Sequence, residues 1–143
     1  MGTWGSGPFD NDDAADWVFD LIEVEDASPI HGAFEAAIAN RDYLEATVAS
    51  TAIAAATVVH ASVRHLPVPP STASLPSPTG LIDEWIANNG SQLTTEDTRL
   101  AATALDRVLA DNSELRRLWA ETNSDEWLTA TTTLRDALHS AGG

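Results

Sequence analysis

The chain has 143 residues, of which 22 are acidic and 7 are basic, giving a formal net charge of −15. All seven basic residues are arginines, too few to neutralise a nucleic acid or to bind an anionic membrane. The absence of cysteine excludes disulfides and thiolate metal sites. The N-terminus lacks the basic start and apolar core of a signal peptide. We therefore expect one domain over residues 1–143, a cytoplasmic monomer or homodimer that binds neither nucleic acid nor membrane.

The first nine residues, MGTWGSGPF, are predicted to form a loop, because their glycines and proline disfavour both a helix and an interior strand. Trp4 and Phe9 are large apolar residues that would be poorly accommodated in water, so we expect both to anchor on the helices. Gly5 and Gly7 permit a tight turn that brings the Trp4 ring back over the next element. The loop is therefore predicted to act as a structural clasp, with a binding surface as the alternative interpretation.

A first helix is predicted from Asn11 to Val24, with Asp10 as its N-cap. Asp12 and Asp16 place carboxylates in the first turns, where the helix dipole favours negative charge. Together with Asp20 they share one face at four-residue spacing. That face could hold a hard cation only with ligands from elsewhere, and a solvated acidic face is the simpler interpretation.

A second helix is predicted from Ser28, as cap, and Pro29, as first helical residue, to about Asn40. The stretch from Tyr43 to Arg64 is predicted to be the central helix, capped by Asp42 and Glu45. Its 14 residues from Ala46 to Val59 carry no charge, which indicates burial on most sides and is short of a bilayer span. The apolar face at helical spacing consists of Leu44, Val48, Thr51, Ala52, Ala55, Val59 and Val63.

Residues 66–80, LPVPPSTASLPSPTG, hold five of the seven prolines and are predicted to form an extended connection within the domain. Four further helices are predicted at about 81–88, 95–110, 114–121 and 125–139. No stretch has the pattern of a useful strand. The sequence therefore predicts an all-α, single-domain bundle of six or seven helices around residues 43–64.

Catalytic and metal-binding patterns are weak. The acidic block from Asp10 to Asp16 lacks the glycine and bidentate glutamate that a calcium loop requires. No two of the histidines are three or four residues apart, as helical metal ligands would be. These histidines are His31, His60, His65 and His139. The five tryptophans, apart from Trp4, lie beside other apolar residues and are expected to pack in the core.

The opening from Trp4 to Trp17, WGSGPFDNDDAADW, carries a family resemblance. It resembles the uncharacterised bacterial family called domain of unknown function 4259, whose members begin WGxGxFxND and then enter an acidic helix. The matching residues are Trp4, Gly5, Gly7, Phe9, Asn11, Asp12, Ala14 and Asp16. The resemblance implies a small single domain, and it implies no activity, cofactor or catalytic residue.

Two functions are compatible with these patterns. The first is a non-enzymatic interaction protein that binds a basic protein partner, in the manner of small acidic immunity proteins. The second is a metal-dependent hydrolase whose site forms where the acidic block meets His60 or His65. Since no complete acid–base–metal set is present, the first function is favoured and no cofactor is expected. The candidate binding or structural motif is Trp4, Gly5, Gly7, Phe9, Asp10, Asn11, Asp12 and Asp16.

Overall fold

A computed structural model describes residues 12–24, 26–39, 42–64, 79–110, 113–121 and 126–142. These residues form α1 (Asp12–Val24), α2 (Ser28–Ala39), α3 (Ala46–Arg64), α4 (Thr79–Asn89), α5 (Thr95–Val108), α6 (Glu114–Glu121) and α7 (Glu126–Gly142). A short 3-10 segment, Gly90–Gln92, follows α4. No strand occurs in the described ranges, and the predicted all-α fold is confirmed.

The prediction for the proline-rich connection was partly wrong. The predicted connection spans residues 66–80, but its last two residues, Thr79 and Gly80, are already helical in α4. Residues 65–78 lie outside the described residues, so the extended conformation expected for them stays a prediction.

Helix α3 is the centre of the bundle, as predicted. It contacts each of the other six described helices. Every residue from Ala52 to Val59 is buried, not only those on the predicted apolar face. This is possible because the side chains on the remaining faces are uncharged: besides Ile53 they are alanine, threonine and valine, which are small enough for neighbouring helices to pack closely.

The stretch of α3 without acid, lysine or arginine is longer than the 14 residues from Ala46 to Val59, because it continues through residues 60–63. By length and composition alone, Ala46–Val63 could cross a membrane, whereas the other helices of the described ranges could not. However, 67% of this window is buried inside the protein, as in the core helix of a globular domain.

Helix α3 begins three residues later than predicted. Leu44 is fully buried and forms an isolated parallel bridge with Ser113. The Glu114 backbone N–H donates to the Leu44 carbonyl at 2.8 Å, and the Glu114 carboxylate accepts from the Ala46 N–H at 2.8 Å. Glu45, one of the two predicted caps, is the N-cap residue of α3, because its carbonyl accepts from the Ala49 N–H at 3.0 Å. The carboxylate that accepts from the Ala46 N–H comes from α6, which the sequence did not predict.

The start of α2 also differs by one residue from the prediction. The Ala27 carbonyl accepts the first helical hydrogen bonds, so Ala27 is the N-cap and Ser28 is already helical. The Asp26 carboxylate accepts from the Ser28 N–H at 2.8 Å. Hydrogen bonds from the Ser28 side chain and backbone lower the pKa of Asp26, so this stabilisation is present at neutral pH and is lost as pH falls through the folded-state pKa.

The buried apolar side chains of the described helices form one continuous cluster. Trp17, Trp85 and Trp127 are buried in it and Trp119 is partly buried against it, as expected for core tryptophans. The largest fully buried side chains come from α1, α2, α3, α4, α5 and α7 and from the residue Leu44 before α3, and α6 contributes Leu115 to the same cluster. These side chains include Leu21, Phe34, Leu44, Ile82, Leu105 and Leu138.

Replacing Ala55 with leucine should destabilise the protein. Ala55 has no exposed surface, so three added carbon atoms must displace packed neighbours, at a cost of about 1–3 kcal/mol. Thermal melting monitored by circular dichroism measures the effect. Ala130→Leu, at an exposed position of α7, is the matched control and should melt close to the wild type. Equal melting temperatures for the two variants would contradict the central position of α3.

Replacing Glu114 with alanine should remove the carboxylate that caps α3. The expected loss is about 0.5–2 kcal/mol, the usual range for an N-cap side chain. Chemical denaturation measures it. Glu121→Ala, at the exposed far end of α6, removes the same charge without touching a cap. If both variants lose the same free energy of unfolding, the Glu114 carboxylate stabilises the protein no more than an exposed carboxylate that caps nothing.

Candidate functional site

The predicted N-terminal motif lies mostly outside the described residues. This applies to Trp4, Gly5, Gly7, Phe9, Asp10 and Asn11. Of the remaining two, Asp12 is the first residue of α1 and Asp16 is exposed one turn later. The clasp and its binding-surface alternative therefore stay predictions.

Two of the described histidines lie beside carboxylates of α5. His60 is half-buried on α3, and His65 lies outside the described ranges. His31 Nε2 lies 2.5 Å from Asp97 Oδ1, and His139 Nε2 lies 3.2 Å from Asp106 Oδ2. No group of three or more histidine, aspartate or glutamate side chains that could hold a metal ion is found among the described residues.

The His31–Asp97 pair borders a polar groove with a volume of 580 Å³. Asp97 is the third helical residue of α5 and forms a capping box with Thr94. Its Oδ2 accepts from the Thr94 N–H at 2.8 Å, which leaves Oδ1 for His31. The Asp97 side chain is only 10% exposed, whereas that of His31 is 44% exposed. Sequence reasoning missed this pair because its members are 66 residues apart.

The geometry of this pair resembles the histidine–carboxylate half of an acid–base site. Its role in holding two helix ends together is sufficient to explain the pairing. The Asp97 carboxylate is already needed to cap α5. A second bond nearby, from the Ala27 N–H to Gln92 Oε1 at 3.2 Å, joins the same two parts of the chain. The two bonds together tie the start of α2 to the start of α5, so the groove is explained by the packing of these helix ends.

A second groove, with a volume of 360 Å³, lies between α1, α2 and the first half of α3. We call it the apolar groove. Its lining consists of Trp17, Asp20, Pro29, Gly32, Ala33, Ala36, Thr47, Val48 and Thr51. Most of these side chains are apolar or small, and Asp20 is the charged residue among them. The groove has the chemistry of a surface that binds another molecule through apolar contact.

Trp17 is held rigidly on one side of the apolar groove. Its indole Nε1–H donates to the Pro29 carbonyl at 3.2 Å, and the residue is only 8% exposed. Because its single donor is used within the protein, Trp17 offers the groove only ring surface. Val48 and Thr51 are partly exposed on α3 and lie on the other side.

Gly32 is a helical glycine of α2 that lines the apolar groove, and a Cβ atom built on it would meet no atom within 4 Å. It therefore leaves a notch in the groove wall. A glycine inside a helix costs about 0.5–1 kcal/mol relative to alanine, and no internal contact requires one here. The glycine within the helical stretch SPIHGAFEAAIA is the sequence signal for this site.

The helices that form the apolar groove contain more acidic than basic residues. Helix α1 carries five acidic residues, α2 carries one, and neither contains lysine or arginine. Helix α3 adds no acid, and its arginine is its last residue, Arg64. None of the lining residues is basic. The groove thus combines a mostly apolar lining with one carboxylate, on helices in which acidic residues outnumber basic ones.

Comparison with known proteins gives one match. Neither the curated proteins nor the solved structures contain a chain that matches this one. A family model does match, over residues 2–130, which include the opening motif and the helices α1 to α6. The family resemblance drawn from the opening is therefore confirmed. The chain belongs to the family described as Domain of unknown function (DUF4259).

Proposed function

We propose that this protein is a binding module that docks a basic amphipathic segment of a partner protein in the apolar groove. The observation that carries the proposal is the pairing of an apolar floor with acidic neighbours that no base on α1 or α2 neutralises. A segment with apolar residues on one face and basic residues on the other would complement both features.

The apolar floor supplies affinity in this proposal. The partly exposed Val48 and the exposed Ala36 lie along the groove, and the buried Trp17 and Ala33 form its base. Each square ångström of apolar surface that a partner covers contributes roughly 25 cal/mol before the costs of association.

In this proposal the acidic residues orient the basic segment and raise its rate of association. With a net charge of −15, the whole protein attracts a basic segment, and Asp20 lies at the groove itself. Such long-range attraction raises the association rate and weakens with salt. The other hypothesis, a metal-dependent hydrolase, gains no support from the described residues, since none of their carboxylate and histidine groups reaches three ligands.

The proposal predicts that filling the notch blocks docking. The probe is a labelled peptide of roughly 18 residues, about five helical turns, with leucines on one face and lysines on the other. Gly32→Leu places a side chain in the open space and should weaken binding about tenfold, equivalent to ~1.4 kcal/mol. Fluorescence anisotropy at physiological salt measures it. Ala130→Leu, an equally apolar change on α7, should leave the affinity unchanged.

The charge at the groove is tested in the same assay. Asp20→Asn should weaken binding by up to about fivefold, as for an exposed ion pair. Glu121→Gln removes the same charge at an exposed position of α6 and should have a smaller effect. If Gly32→Leu binds like the wild type, or if the two charge variants weaken binding equally, attraction is general and the groove is not the docking site.

A further inference from the structure

We draw no further inference here: the strongest candidate, the polar groove bordered by His31 and Asp97 at the starts of α2 and α5, carries nothing, because the hydrogen bonds that join these two helix ends already explain the pairing.

Discussion

The all-round burial of α3 is the constraint on which the rest of the structure depends. From Ala52 to Val59 no side of this helix faces water, so every other element must cover part of it. Its hydroxyl groups are accommodated by the backbone: Thr57 Oγ1 donates to the Ile53 carbonyl at 2.8 Å, and Ser62 Oγ donates to the Gly90 carbonyl at 3.3 Å. Because α3 carries no acid, the large negative charge lies on the helices and segments around it, where water and salt can screen it.

Apolar packing alone would leave the order and register of the surrounding helices poorly specified, since small side chains offer few distinctive contacts. Polar bonds at helix ends provide the missing specification. Glu114 caps α3 from the start of α6, and Asp97 holds His31 while it caps α5. A buried or half-buried polar group that loses its partner is costly, so each of these bonds penalises an alternative arrangement. The His31–Asp97 pair therefore helps to specify how the helices are arranged.

The sequence predicted the helices well because their periodicity and stop signals are local. The central position of α3 followed from its lack of charge. What local patterns could not supply were pairings across the chain: the cap on α3 comes from Glu114, 68 residues after Ala46, and His31 meets Asp97 across a similar separation. Asp16 lies on α1 within the predicted helix, but the apolar groove depends on how three helices pack, which no single stretch of sequence contains.

The two helix-associated glycines show how a departure from local preference can be interpreted. At Gly90 the chain itself gives the reason, because Ser62 and Ile86 occupy the space that a side chain would need. At Gly32 the space is open, alanine would be the better helix former, and nothing in the described structure gains from the absence of a side chain. Local preference and global fold usually agree in a natural protein, and they disagree mainly at functional sites. The docking proposal accounts for Gly32 by what the groove would bind, and the acidic residues of α1 and α2 are the reason that the proposed ligand is basic.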